Sequence, residues 1–328
     1  MIQQKKYFYS LEEFENSLLQ SHSIINIDLD YHQIDDERAS CLGFALAKCT
    51  NLLNLTLEIY ENFIGDEGIS ALGSGLAHCT NLTNLTINLF ENQIGAGVSN
   101  LSFALANCTN LSSLTLDLGC GKIGDKGASG LGHGLANCNN LSNLTLNISK
   151  NQIQVEGISG LGYGLEKLTK LSNLILNVSE NQIGDEGTQG LSTGLANCTN
   201  LLNFMLNLSK NQIGTKGASN LGSALANCIN LSNFKLDIRG GIIGDQGISD
   251  LGAGLISCNN LSNLVLDVGY NQIGDIGVSC LGIAISKCTN LITLTLFIYG
   301  NIFDESQERK IKNNFIKSKK LVLFYIDL

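Results

Sequence analysis

Eleven cysteines, four histidines and a series of Gly-Asp-x-Gly segments are the groups in this chain able to act as nucleophiles, bases or metal ligands. Their spacing supports none of these chemistries. Cys49, Cys79, Cys108, Cys138, Cys198, Cys228, Cys258 and Cys288 occupy one position of a repeat, which Leu168 fills in the copy between Cys138 and Cys198. Leucine in place of cysteine marks a buried apolar slot, and no C-x-x-C pair supplies a ligand or redox spacing. Core packing is therefore the expectation over disulfides or metal. His22, His32, His78 and His133 fall at four different repeat positions, so no nucleophile and base can be paired. Gly130-Leu-Gly-His-Gly134 imitates a dinucleotide loop but lies inside a helical pattern, not between a strand and a helix. Gly119-Cys-Gly-Lys122 resembles part of a phosphate loop without the spaced glycine or the following Ser or Thr. The carboxylates of Gly65 to Gly68 and Gly124 to Gly127 come once per repeat at helix starts, where capping explains them better than a shared calcium ion. No catalytic residue, cofactor or metal is expected.

The elements that position these residues are copies of one unit, of which Leu171 to Asn200 is the clearest. Units begin at His22, Leu52, Leu82, Leu111, Leu141, Leu171, Leu201, Leu231, Leu261, Leu291 and Leu321, with a period of 30 and one copy of 29 in which Ile94-Gly-Ala-Gly97 shortens the turn into the helix. Alternation in Leu174 to Val178 predicts a strand with one buried face, while apolar residues three and four apart, as in Ile69, Leu72 and Leu76, predict a helix. Between them, Gly184 suits a positive-φ turn and Asp185 is placed to cap its helix.

The pattern L-x-x-L-x-L, then N-x-I-G-x-x-G and a helix with paired leucines, resembles the ribonuclease-inhibitor-like class of leucine-rich repeats over roughly residues 22 to 328. Two more residues than usual separate the third leucine from the asparagine, which predicts strands longer by one inward and one outward residue. The resemblance implies an α/β horseshoe arc of about ten repeats, with a parallel β-sheet on the concave face and α-helices on the convex face. Strands about 4.8 Å apart and helices roughly 8 to 10 Å apart make such a solenoid curve by on the order of 20 to 30° per repeat. Paired helix glycines, such as Gly73 with Gly75, Gly132 with Gly134 and Gly162 with Gly164, favour close helix approach and an open arc over a closed ring.

Residues 1–21 read as an amino-terminal capping helix, with Ser10 and Glu13 as a capping box and Leu11, Phe14, Leu18 and Leu19 as the apolar stripe of a helix from Ser10 to Gln20. Repeats fill 22–303. A polar helix with Ile311, Phe315 and Ile316 as its apolar positions, then a last strand, is expected over 304–328. A repeat this regular predicts one elongated body. The net charge of -9 disfavours nucleic acid and anionic lipid and favours a basic partner. The first residues lack an apolar run, which points to the cytoplasm, and no segment has the length of a membrane span.

Recurrent Asn62, Asn92, Asn151, Asn181, Asn211, Asn271 and Asn301 are expected to bond backbone in neighbouring coils, with Gly121 and Gly241 interrupting the series through backbone freedom. Function should lie on the outward strand residues. One row is acidic or amide and includes Asp28, Glu58, Asp117, Asp237 and Asp267. The next varies most, and large residues gather toward its ends: Tyr60 and Phe90 as one exposed pair, and Met205, Lys235, Arg239, Tyr270, Phe297 and Tyr299 as a second cluster. Aromatic and arginine side chains usually dominate interface energy. The expectation is a non-enzymatic, monomeric scaffold binding a protein on its concave sheet. Its rivals are a leucine-rich-repeat GTPase-activating protein and the regulatory or sensor repeats of a larger signalling protein such as a kinase.

Overall fold

Alternating apolar residues put Leu55, Leu57 and Ile59 into a dry layer, each at most 1% exposed, against Leu72 and Leu76 of the following helix. This coil recurs along the computed structural model, which describes residues 5–303 and 323–327. The polar helix expected around Ile311, Phe315 and Ile316 lies outside the described residues. The chain divides into two compact units, 1–170 and 171–328.

In the first unit, strands β1 (Lys5–Phe8), β2 (Ile24–Asp28), β3 (Asn54–Glu58), β4 (Asn84–Asn88), β5 (Ser113–Asp117) and β6 (Asn143–Asn147) pair in chain order, all parallel. Helices α1 (Leu11–Glu15), α2 (Asp36–Leu46), α3 (Asp66–Leu76), α4 (Leu101–Asn107), α5 (Asp125–Leu135) and α6 (Val155–Lys167) alternate with them. In the second unit β7 (Asn173–Asn177), β8 (Asn203–Asn207), β9 (Asn233–Asp237), β10 (Asn263–Asp267), β11 (Thr293–Phe297) and β12 (Leu323–Asp327) pair in the same manner. Its helices are α7 (Gly184–Leu195), α8 (Thr215–Leu225), α9 (Gly244–Ser257) and α10 (Asp275–Lys287). The sheet of each unit is open. In the short coil the missing residue is absorbed by a tighter 3-10 turn, Ala96–Asn100, ahead of the seven-residue α4.

The extra pair of residues extends the parallel ladder as expected. Leu29 and Tyr31 donate to the carbonyls of Glu58 and Tyr60 at 2.8 and 3.1 Å, and Val178 and Glu180 donate to those of Asn207 and Ser209 at 2.9 and 3.0 Å. The ladder ends at a left-handed residue, for instance Glu61 (φ 47°), Glu91 (57°), Cys120 (57°), Lys150 (53°), Glu180 (54°) and Lys210 (58°). Only Gly240 and Gly300 are glycine in this series. For the others the conformation costs roughly 1–2 kcal/mol per residue, offset by the backbone bonds that it completes. Gly184, the expected site of positive φ, has it at +59°.

The asparagine amides join coils as anticipated: Asn62 accepts from Ile34 N–H (2.8 Å) and donates to the Leu29 carbonyl (2.9 Å). Gly121 and Gly241 work differently from expectation, because neither has positive φ. They provide space: a Cβ on Gly241 would collide with the carbonyl oxygen of Ile213, so glycine lets two backbones close up where the amide is absent.

Asp185 also departs from the expected role. Its Oδ1 accepts from Gly214 N–H (2.7 Å) and Gly217 N–H (2.8 Å), which open the next helix, α8. Asp36 does the same for Gly65 and Gly68 at the start of α3, and Asp125 for Gln154 and Gly157 at the start of α6. Each carboxylate thus caps the following coil. Helix α2, which begins the series, is capped by its own Asp35, whose side chain accepts from Arg38 N–H at 2.9 Å.

The amino-terminal segment contains more than a helix. Lys5–Phe8 adds strand β1 to the sheet edge, and the helix is shorter than expected, α1 being followed by a 3-10 turn at Leu19–Ser21. Ser10 does cap, accepting from Glu13 N–H at 3.1 Å, but Leu18 is 80% exposed and lies outside the buried stripe. Buried His22 packs on Phe8 and bonds Ser17 Oγ at 2.9 Å. Burial, with repulsion from Lys6, lowers its pKa.

The repeated cysteines are all buried, and all eleven cysteines of the chain are thiols. The Cys79 S–H points to the Leu46 carbonyl at 3.3 Å, and the Cys108 S–H to the Cys79 carbonyl at 3.4 Å. Burial pushes Cys49 up to about 11 and Cys79 up to about 12. At pH 8 a thiol of pKa 12 is thiolate in about one molecule in 10⁴. A thiol reagent should therefore label exposed Cys41 and half-buried Cys120 and Cys280 in the native protein, and the eight repeat cysteines only after unfolding. Because folding raises these pKa values, the associated stability is fully present below the ordinary thiol pKa of about 8.5 and is lost as pH rises through the folded values. Labelling of the repeat cysteines at the native rate would contradict this packing.

Candidate protein-interaction face

Within each unit the outward residues of the strands form parallel rows because the strands pair in register. The amide row is itself a chain of contacts, in which Asn84 Nδ2 donates to Asn54 Oδ1 at 2.7 Å and Asn203 Nδ2 to Asn173 Oδ1 at 2.5 Å.

In the first unit the acidic row contains Asp28, exposed, with half-buried Glu58 and Asp117. Asp117 accepts from Gly119 N–H and Asn147 Nδ2, and burial raises its pKa against those bonds. Tyr60 and Phe90 do lie together, ring centroids 5.7 Å apart, but they are half-buried where exposure was expected. A third ring, Tyr31, stands edge-on to Tyr60 at 5.1 Å and is 63% exposed. Phe90 packs over Gly119, where any Cβ would meet the ring at 2.8 Å. The glycine in this row is thus the seat of its neighbour's ring.

The second cluster separates into two places. Arg239 bridges Asp237 (3.5 Å) and Asp267 (3.2 Å), and the Tyr299 hydroxyl donates to Asp267 at 3.4 Å. Tyr270 stands edge-on to Tyr299 at 5.4 Å, while Phe297 instead packs against Tyr325 at 5.8 Å. Burial raises the pKa of Asp237, opposed by the bond from Arg239 N–H. Most of this cluster's charge is neutralised internally.

Met205 and Lys235 belong elsewhere, in the middle row, with Ile175 and Val265 in register beside them. These residues line a groove of about 490 Å³ on the open sheet face. Its floor includes Phe204 and Phe234, stacked at 5.3 Å, which also cover an internal cavity of about 10 Å³. Sequence reasoning places Ile175 on the outward face but as a bland residue, and it does not single out Val265. The signal was the change at one repeat position from Thr56, Thr86, Thr115 and Thr145 in the first unit to Ile175, Met205, Lys235 and Val265 in the second.

Among the described residues, no group of three or more His, Cys, Asp or Glu side chains could hold a metal ion, and no helix is long and apolar enough to cross a membrane.

The family described as Leucine Rich repeat matches residues 109–132, 140–162, 172–192, 205–222 and 260–282. No curated protein matches the chain. Among solved structures, one chain of the octameric complex of Latrophilin 3, Unc5D and FLRT2, in which FLRT2 is the leucine-rich-repeat component, is 14% identical at a TM-score of 0.51, covering 92% of this chain and 83% of that one. An internalin (inlF) from Listeria monocytogenes str. 4b F2365 is 23% identical at 0.46, over 93% of this chain and 80% of that one. Internalin C2 (inlC2) from the same strain is 22% identical at 0.42, over 84% and 81%. At 14% identity the likeness to the chain of the FLRT2 complex is one of fold alone.

Proposed function

This chain is a leucine-rich repeat protein, and from that premise we propose that it is a non-enzymatic scaffold holding a protein partner on the open face of its sheet. The observation that carries the proposal is the division of labour within each coil. Inward leucines, cysteines, asparagines and turn carboxylates are committed to neighbouring coils, while copy-to-copy variation falls on outward rows. In the second unit that variation makes an apolar groove over Ile175, Met205 and Val265 with Lys235 at its side. Exposed apolar area rimmed by amides is the usual make-up of an interface core. The FLRT2 assembly supports the reading by analogy of fold. The finer form of the proposal is a monomer of the ribonuclease-inhibitor-like class, acting in the cytoplasm on a basic partner.

Affinity capture from the native extract, with wild type and a Met205→Asp/Val265→Asp variant side by side, tests the groove. Both sites are on the open face, so the variant should fold. The expected result is a protein retained by wild type and depleted at least tenfold by the variant, as for loss of a central apolar contact of about 1.4 kcal/mol or more. Equal recovery from both would reject the open face of the second unit as the binding surface.

A further inference from the structure

The scaffold reading leaves open what chemistry the first unit's own sheet face prefers. Three rings cross three successive coils there, Tyr31 to Tyr60 at 5.1 Å and Tyr60 to Phe90 at 5.7 Å, giving an aromatic strip on the order of 10 Å long. The strip is held in place. Phe90 is seated on Gly119, and the Tyr60 hydroxyl donates to Glu61 Oε1 at 2.5 Å, a bond that also pushes the phenol pKa up. Asp30 accepts from Tyr60 N–H at 2.7 Å and fixes the backbone beneath the ring.

Charge distinguishes this face from its counterpart in the second unit. There Arg239 bridges Asp237 and Asp267, and Lys210 pairs with Glu180 at 3.5 Å. Around the rings of the first unit stand Asp28, Glu58, Glu61 and Glu91, and among the described residues no lysine or arginine forms an ion pair with any of them. A ring face carries negative potential, so cations are attracted to it, and neighbouring carboxylates add to that field.

We propose that this face seats the basic side chains of an extended partner segment, one guanidinium lying on the exposed Tyr31 ring at the end of the Tyr60–Phe90 stack and the others bonding to Glu58 and its neighbours; the proposal rests on the scaffold reading above. The complementarity is specific in sign: phosphate backbones and anionic lipid are repelled by the same carboxylates. Arginine is preferred over lysine because its planar group both stacks on a ring and forks onto a carboxylate. A strip of about 10 Å spans roughly three residues of extended chain, enough for basic side chains at i and i+2.

The test is fluorescence anisotropy of labelled octa-arginine and octa-lysine peptides with the full chain at low and near-physiological salt. Glu58→Gln removes one charge, Tyr60→Leu removes the central ring that holds Tyr31 in place, and Glu156→Gln on α6 removes an equal charge away from the strip. The expected result is tighter binding of the arginine peptide, weakened about fivefold or more by Glu58→Gln and by Tyr60→Leu but less than about twofold by Glu156→Gln. Circular dichroism checks folding of Tyr60→Leu, and Glu58→Gln carries the test if that variant is unstable. Equal weakening by Glu156→Gln would mean diffuse attraction to an acidic protein and would overturn the proposal, as would indifference to both strip variants. If a captured partner is lost from Met205→Asp/Val265→Asp while both strip variants retain it, this inference fails and the scaffold reading stands.

Discussion

Replacing Asn211 with alanine is expected to destabilise the second unit by about 3 to 5 kcal/mol. The residue is 1% exposed, and its amide serves five backbone groups. Oδ1 accepts from Asn181 N–H at 3.2 Å and Ile183 N–H at 3.3 Å, and Nδ2 donates to the carbonyls of Val178 (2.8 Å), Leu208 (3.0 Å) and Ser209 (3.4 Å). Alanine removes all five bonds; the Ile183 N–H and the Leu208 carbonyl lose these partners in a buried setting, while the Val178 and Ser209 carbonyls keep bonds from Asn181 Nδ2 and Glu180 N–H, and each orphan costs about 1 to 3 kcal/mol, reduced where water can enter. Exposed Asn197, in the turn after α7, which donates to the Thr193 carbonyl of that helix, is the control and should change stability by less than about 0.5 kcal/mol on replacement by alanine. Urea unfolding followed by circular dichroism measures both. A loss below about 1 kcal/mol at Asn211 would show that water substitutes freely for the amide.

Gly132→Ala should also destabilise the first unit, by a smaller amount, against the sign that helix propensity alone gives. Alanine favours a helix over glycine by about 1 kcal/mol. Here, however, a Cβ would fall well inside van der Waals contact distance of the Gly160 carbonyl oxygen on α6, and that atom is backbone. Separating two packed helices to admit it costs typically 1 to 3 kcal/mol and disturbs contacts on both sides. Gly75 and Gly254 meet the carbonyls of Gly43 and Gly222 in the same way, so the device recurs. Thermal melting of Gly132→Ala should give a lower Tm than wild type. An unchanged or raised Tm would mean that the helices separate without penalty.

The framework was legible because its signals are local or periodic. Strand and helix periods, the cysteine slot with Leu168 as its substitute, and the asparagine at the end of each strand all follow from residue type and spacing. What escaped is physically different. The capping rule links a carboxylate to amides two or three residues onward, so Asp185 was assigned to its own helix; its amides lie 29 and 32 residues away and become neighbours only once coils stack. The left-handed turn was unreadable because Glu61, Glu91, Lys150 and Lys210 stand where glycine would have announced it. Strand β1 has four residues, too few for its alternation to separate from the helix that follows. On the candidate face, the variable outer row drew notice through Tyr60, Arg239 and Tyr299. The groove went unseen because Ile175 and Val265 are ordinary strand residues and become notable only beside threonines in the same register.

The two recurring polar contacts run in opposite senses. Asp185 reaches forward to Gly214 and Gly217, whereas Asn211 reaches back to Ile183 and Val178. Inserting or deleting a whole coil of the regular kind leaves both series matched, because such a coil, like the one from Leu171 to Asn200, carries one forward carboxylate and one backward amide. A partial coil would shift the phase of both at once and strand donors and acceptors on either side of the junction. Such an array can change its copy number in quanta while its phase stays fixed, so that the span of its outward face can be lengthened or shortened without redesign of the core.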